Sequence, residues 1–329
     1  MSSDLRFGVI GLGMMGRHHV RVLQALEGVE LVGVSDPAGD VHGAARGARC
    51  TPSIDELLSW DIHAAVVAVP TEDHLPVGLQ LADAGVHMLV EKPLSHDVES
   101  GRLLARAFEQ AGLVAAVGHV ERFNPAVRSL KSRLDSGELG DIFQISTSRQ
   151  GPFPDRIRDV GVVLDLATHD IDIAAWISGS GYNTVAAQVN HKAERPHEDL
   201  VAAVCRLDDG TVVNHLVNWL SPVKSRRIVV LGEQGCFSAD TLTADLTFYA
   251  NGSVQSEWDA ISKFRGVSEG DMIRYAIPKP EPLMTELLEF SRHLLGDGGT
   301  IVPASEGLET LRIAAAMARS ATSGTTEVL

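Results

Sequence analysis

The first run of residues equipped for chemistry is Gly11-Leu12-Gly13-Met14-Met15-Gly16, which follows an apolar stretch and opens a helical pattern. In that context the three glycines meet three needs. Gly11 allows a tight turn, Gly13 lets a pyrophosphate approach the backbone, and Gly16 permits close packing of helix on strand. The helix start, at Met14 and Met15, offers free N–H groups and a positive dipole end to phosphates. Asp36 closes the next apolar stretch, about twenty residues past Gly16, where an acid holds the hydroxyls of an adenine ribose. Its charge opposes a 2′-phosphate, and Pro37 rather than an arginine follows it, so NAD is the expected cofactor. Two more runs, Val69-Pro70-Thr71-Glu72-Asp73-His74 and Glu91-Lys92-Pro93-Leu94, end apolar stretches. Open parallel sheets bind ligands at the carboxyl ends of their strands, so Pro70, Thr71, His74, Glu91 and Lys92 are expected to face the cofactor. Farther on, Asp165 and His169 stand four apart in a helical pattern and share a face.

Such residues act only if strand ends are gathered at one edge of a sheet. Short apolar runs at 7–11, 30–35, 64–70, 87–90 and 114–118 alternate with helical patterns at 16–26, 55–59, 75–84 and 98–110. That alternation predicts an α/β Rossmann domain, a doubly wound parallel sheet covered on both faces, over residues 1–120. After residue 120 the pattern changes. Helices are expected at 125–136 and 162–177, then strands at 201–207 and 211–219 joined through Asp208-Asp209-Gly210, a hairpin signal. Further strands are expected at 227–232, 236–239 and 246–250, with closing helices at 282–295 and 304–320. Residues 121–329 therefore read as an α+β domain with a mostly antiparallel open sheet.

Together with Gly118-His119 and Asp165-Leu166-Ala167-Thr168-His169-Asp170, these motifs resemble the glucose–fructose oxidoreductase / inositol dehydrogenase (Gfo/Idh/MocA) family over nearly the whole chain. The resemblance implies that Lys92 is catalytic, that the Lys92–Pro93 peptide is cis, and that Asp165 and His169 form the family's later acid–imidazole pair. Ala167 stands where the family often has glycine. The runs 118–125, 151–161, 267–275 and 281–283 resemble more narrowly the branch that includes UDP-N-acetylglucosamine 3-dehydrogenases. The implied activity is NAD-dependent oxidation of a secondary sugar hydroxyl, foremost C3 of a nucleotide sugar. An inositol or free-monosaccharide dehydrogenase, an NAD-dependent glycosidase and a non-catalytic sugar or NAD(H) sensor are the alternatives. A homodimer or homotetramer, joined through the exposed face of the second sheet, is also implied.

Oxidising an alcohol removes a hydride from carbon and a proton from oxygen, so the protein must accept the proton and steady charge on that oxygen. His169 is the expected base, since imidazole titrates near neutrality, with Lys92 polarising the oxygen and Asp165 orienting the ring or, like His169, itself reaching the substrate. The reversed roles of His169 and Lys92 stay open, because burial readily lowers a lysine pKa. His119, Glu121 and Asn124 are expected to border the substrate pocket; the alternative is a hinge with a capped helix start. Arg149, Arg156 and Arg158 flank the turn 151–154, and Lys224, Arg226 and Arg227 follow a strand end. Arginine suits bidentate phosphate contacts, so Arg156 and Arg158 are expected on a nucleotide diphosphate; ordinary ion pairs are the alternative.

Composition narrows the field. The chain has 329 residues, with 28 Lys and Arg against 43 Asp and Glu, a net charge of −15. Such a chain repels nucleic acid and anionic membranes, and neither is expected as a partner. Its 3 cysteines form no CxxC, no HExxH or third ligand accompanies Asp165 and His169, and no GxSxG elbow occurs, so no metal and no serine hydrolase is expected. The start Met1-Ser2-Ser3-Asp4 lacks a basic, apolar leader, and no apolar run is long enough to span a bilayer. A cytoplasmic location is expected.

Overall fold

The computed structural model describes residues 5–154, 160–192, 196–252 and 269–329, and the chain divides into two compact units. One runs through Phe123 and resumes over Pro280–Ala315; the other comprises Asn124–Lys279 and Ala316–Leu329.

In the first unit, β1 (Leu5–Ile10), β2 (Val29–Ser35), β3 (Cys50–Thr51), β4 (Ala64–Val67), β5 (His87–Glu91) and β6 (Ala115–Gly118) form a sheet of order β3-β2-β1-β4-β5-β6. Every pairing is parallel. Parallel neighbours require crossovers, supplied here by α1 (Met14–Leu23), α2 (Ile54–Leu58), α3 (His74–Asp83) and α4 (Val98–Ala111). The buried strands β4 and β6, all Ala, Val and Gly, are apolar throughout because both faces are covered. Strand order reverses between β1 and β4, the switch point where such sheets open a crevice at their carboxyl ends. The glycine run, Asp36, and the loops after β4 and β5 all lie at those ends.

The second unit is built on a nine-stranded sheet of order β14-β13-β12-β11-β7-β10-β9-β8-β15. Its strands are β7 (Ile142–Pro152), β8 (Tyr182–Asn190), β9 (Leu200–Leu207), β10 (Val212–Asn218), β11 (Leu220–Gly232), β12 (Gly235–Asp240), β13 (Asp245–Asn251), β14 (Glu269–Arg274) and β15 (Glu327–Val328). All pairs are antiparallel except β7 with β10. Helices α5 (Pro125–Asp135) and α6 (Thr168–Ser178) pack on this sheet, α5 against β12 and β13, α6 against β7 and β10. The hairpin at Asp208-Asp209-Gly210 forms as read, with Gly210 at a φ of 91°.

Three features depart from the sequence reading. The central strand β7, strand β8 and the edge strands β3, β14 and β15 were not anticipated. The helix expected at 162–177 begins instead as a π turn over Val163–Ala167, with α6 following. The division at residue 120 falls close to Phe123, yet residues 121–329 do not stay together. Helix α7 (Pro282–Leu294) returns to the first unit, where Leu283, Leu287 and Phe290 join Phe7, Val9, Val20, Leu23 and Leu89 in one core; α8 (Ala304–Ser323) follows. Phe290 meets Phe7 edge-on at 6.0 Å. With α1, helix α7 thus covers one sheet face, while α2, α3 and α4 bury Leu57, Leu81, Leu104 and Phe108 on the other. Among the described residues no helix is long and apolar enough to cross a membrane.

Candidate active site

The turn from β1 into α1 shows why each glycine stands where it does. Gly11 adopts a φ of 93°, and a Cβ there would lie 2.6 Å from the Ala68 carbonyl oxygen. A Cβ on Gly16 would come within 1.9 Å of the Gly11 carbonyl oxygen. Gly13, which caps α1, would meet nothing within 4 Å. Packing therefore excludes side chains at the first and third glycines, and the second is open to the space a pyrophosphate would enter. Met14 is exposed and Met15 half-buried at the helix start.

Asp36 reaches back from the end of β2 to this turn. One carboxylate oxygen accepts the Leu12 N–H at 2.7 Å and the other the Ala38 N–H at 2.9 Å. Each oxygen keeps a lone pair for a ribose hydroxyl. An acid held beside an open glycine turn fits NAD.

The loops after β4 and β5 are tied together by His74. It is buried; its Nδ1 lies 3.0 Å from the Pro93 carbonyl and its Nε2 3.2 Å from that of Val69. Burial lowers its pKa despite those carbonyls. A neutral ring carries one N–H and donates it to one of these two carbonyls, so the buried His74 braces the loops from within. Pro70 is exposed and Thr71 half-buried at the start of the first loop. The Lys92–Pro93 peptide is cis, and Lys92 is half-buried. Glu91 turns inward to His19, with Oε1 2.7 Å from Nε2. Burial alone would raise the Glu91 carboxyl; the hydrogen bond and charge of His19, with the charge of Lys92, leave it below the ordinary range. No local spacing in the sequence announces this pairing.

After β6, His119 is buried and Glu121 half-buried in the turn Val120–Phe123. Asn124 behaves as the capped helix start. Its oxygen accepts the Ala126 N–H at 3.0 Å and its amide donates to the Thr241 carbonyl at 2.9 Å. With those two bonds made, it is no longer offered as a substrate contact.

In the second unit the π turn carries Asp165, 5% exposed, and α6 opens at Thr168 with His169 half-buried in its first turn. Thr168 N–H bonds the Val163 carbonyl, five residues back. Such wide turns often mark functional positions in helices. Asp170 points into the unit and accepts Arg149 Nε at 2.9 Å, both side chains at 4% exposure or less. Arg149 is thus half of a buried ion pair and leaves the set of expected phosphate-binding cations. Arg226 donates to the Gln150 and Ser225 carbonyls, while Lys224 and Arg227 are exposed. Arg156 and Arg158 lie outside the described residues.

Beneath α6 runs a hydrogen-bond chain with one consistent direction. Tyr182 O–H donates to the Ile171 carbonyl at 3.3 Å, so its oxygen accepts from His215 Nε2–H at 2.9 Å. His215 Nδ1 is then bare and accepts from Thr147 O–H at 2.7 Å. Burial drives the His215 pKa down to about 3, so the ring is neutral. The chain fastens α6, two residues from His169, to the sheet.

Known proteins agree with this architecture. Residues 5–119 match an oxidoreductase family model with an NAD-binding Rossmann fold, and residues 127–238 match the GFO/IDH/MocA C-terminal domain. The UDP-N-acetylglucosamine 3-dehydrogenase of Acidithiobacillus ferrooxidans is 32% identical over 253 residues, 76% of this chain and 78% of that one. Its solved structure superposes with a TM-score of 0.85 at 26% identity, covering 97% of this chain and 98% of that one. An inositol 2-dehydrogenase of Corynebacterium glutamicum is 27% identical over 229 residues, 66% of this chain and 68% of that one. The WlbA dehydrogenase of Bordetella pertussis, solved in complex with NADH and UDP-GlcNAcA, is 25% identical with a TM-score of 0.80 over 99% of each chain. With both domain types matched in order and a relative of that identity over most of its length, this chain belongs to the Gfo/Idh/MocA family of NAD-binding oxidoreductases.

Proposed function

We propose that the protein is an NAD-dependent dehydrogenase oxidising a secondary hydroxyl of a nucleotide sugar, at C3 of a UDP-N-acetylglucosamine-like substrate. The observation that carries this reading is the fold-wide match to a UDP-N-acetylglucosamine 3-dehydrogenase over 97% of the chain. Lys92, Asp165 and His169 stand at the family's motif positions. Bound NAD supplies the hydride acceptor. His169 takes the proton of the reacting hydroxyl, Asp165 orients and charge-balances the imidazole, and Lys92 donates to the same oxygen as negative charge grows there. Asp36 holds the adenine ribose and excludes a 2′-phosphate. Glu121 and His119 line the approach to Lys92, and Arg156 with Arg158 takes the diphosphate. The retained Lys92, Asp165 and His169 speak against a sensor.

The inositol 2-dehydrogenase among the relatives favours a second reading, a polyol dehydrogenase. The two are separated by following NADH formation with UDP-, dTDP- and GDP-sugars, inositols and free monosaccharides, alongside thermal shifts with NAD present. Turnover of a nucleotide sugar is expected. Efficient oxidation of inositol or a free sugar, with every nucleotide sugar ignored, replaces the reading by the second. Hydrolysis of a glycoside without net NADH identifies a glycosidase instead.

A further inference from the structure

The helical segment that carries Asp165 and His169 is held at its start by a residue from outside it. Glu198 stands just before β9, half-buried, and meets the first turn with both its backbone and its side chain. Val162 N–H donates to the Glu198 carbonyl at 3.0 Å, and Val163 N–H donates to the Glu198 carboxyl Oε1 at 3.0 Å. Asp165 N–H donates to the Gly161 carbonyl at 3.0 Å. The first N–H groups of a helix have no partner within it, so these bonds close an end that would otherwise be open. An acceptor placed there also meets the positive end of the helix dipole.

The surroundings of Glu198 are shaped to this contact. Residue 161 is a glycine, and a Cβ there would lie 2.0 Å from Oε1 and 2.2 Å from Oε2. Behind the carboxyl, Asp199 is 1% exposed and fixed to the sheet. Its N–H donates to the Asn190 carbonyl at the end of β8 at 3.0 Å, and its carbonyl accepts the Trp219 N–H just past β10 at 2.9 Å. Glu198 thus reaches the helix start from a rigid edge. What it meets is the π turn Val163–Ala167, where Thr168 N–H bonds the Val163 carbonyl. Val163 is therefore shared, its N–H going to Glu198 and its carbonyl closing the wide turn. A π turn winds less per residue than an α turn. The angle about the helix axis between Asp165, inside the turn, and His169, in the first turn of α6, depends on that turn being held.

We propose that Glu198 is a positioning residue, its carboxyl capping Val163, holding the π turn and so fixing the bearing of Asp165 relative to His169. Loss of the cap frees the Val163 N–H and lets the wide turn tighten to the α form, which rotates Asp165 about the axis. The weight of this role in catalysis rests on the proposed function; the cap itself does not.

The test uses the full chain with NAD. Amide exchange at Val163 and the ring signals of His169, assigned through His169→Gln, are read by NMR without substrate. Glu198→Ala is expected to speed exchange at Val163 about tenfold or more and to shift the His169 ring signals. Glu198→Gln, whose amide oxygen still accepts, is expected to keep both as in the wild type. Gly161→Ala leaves Glu198 in the chain but fills the space of its carboxyl, and is expected to follow Glu198→Ala. In turnover, Glu198→Ala and Gly161→Ala are expected to lower kcat about tenfold or more, and Glu198→Gln to restore it. KM for NAD should change little, since the glycine turn and Asp36 belong to the other unit. Wild-type exchange at Val163 in Glu198→Ala overturns the proposal, as does a Gln variant as impaired as the Ala variant. So does a loosened Val163 amide with unchanged His169 signals. If Glu198→Ala does not fold, Gly161→Ala carries the same readings. If the wild type turns over no sugar, the function reading fails while the exchange rates and ring signals still decide the proposal.

Discussion

Asp36 concentrates the choice of cofactor in one carboxylate, held against the glycine turn by two backbone N–H groups. Its oxygens are oriented before any ligand arrives, so Asp36→Ala removes charge-assisted bonds worth about 1.5–3 kcal/mol. NAD affinity measured by direct titration is expected to fall about tenfold or more, and discrimination against NADP to relax. A wild type that binds NADP more tightly than NAD contradicts this. Lys92→Ala and His169→Ala are expected each to cost about 10²–10⁴ in kcat while NAD affinity holds, because the proposed mechanism has both act on the reacting oxygen. Asp165→Asn should cost less and alter the pH profile. Near-normal turnover in Lys92→Ala would sink the mechanism. A reader of the sequence finds these residues because the family motifs are contiguous. The partners of their neighbours were hidden: His74 was expected at the cofactor, but its buried ring lies against carbonyls 19 and 5 residues away.

Among elements, β7 teaches most. It lies in the middle of the second sheet, yet its inward positions include Thr147 and Arg149, so no apolar alternation betrays it. Those polar residues are tolerated in the core because His215 and Asp170 satisfy them, and both partners are far off in sequence. The same strand anchors α6 through His215 and Tyr182. The neutral His215 makes a stability prediction with a definite sign. Its folded pKa of about 3 lies below the ordinary 6.5, so between those values the unfolded chain binds a proton that the folded chain refuses. Stability is therefore full above pH 6.5 and falls as pH drops toward 3, by up to about 1.4 kcal/mol per unit from this group. Urea denaturation across that range should show the decline, and His215→Gln should flatten it. An unchanged slope in the variant means the ring is charged when folded. At the start of α1, Gly16→Ala forces a Cβ onto the Gly11 carbonyl and is expected to destabilise by about 1–3 kcal/mol or more in thermal melts.

For the whole molecule the net charge of −15 sets the problem that an anionic substrate must overcome. Two of the cations once offered for it are engaged with the protein itself, Arg149 with Asp170 and Arg226 with backbone carbonyls. On the proposed reading the phosphate role falls to Arg156 and Arg158, and Lys224 and Arg227 stand exposed. Arg156→Ala or Arg158→Ala is expected to weaken nucleotide-sugar binding far more than NAD binding in calorimetric titration, and affinity should fall as salt rises. Equal losses for both ligands, or none, would return these arginines to ordinary surface pairs.

Sequence by itself determined what rests on neighbours along the chain: the glycine turn with its acid, the alternation that builds a parallel sheet, the Asp-Gly hairpin, and the family motifs around Lys92 and His169. In each, short-range sterics or a fixed periodicity ties residue type to local form. Tertiary structure decided what depends on residues distant in sequence. Helix α7 left the expected second domain because Leu283, Leu287 and Phe290 complete the core over β1. Arg149 became half of a core ion pair, and His19 and Glu91 came together from separate elements. Spacing along a chain carries no distance between such residues; burial does, since it makes each polar group find a partner wherever the fold supplies one.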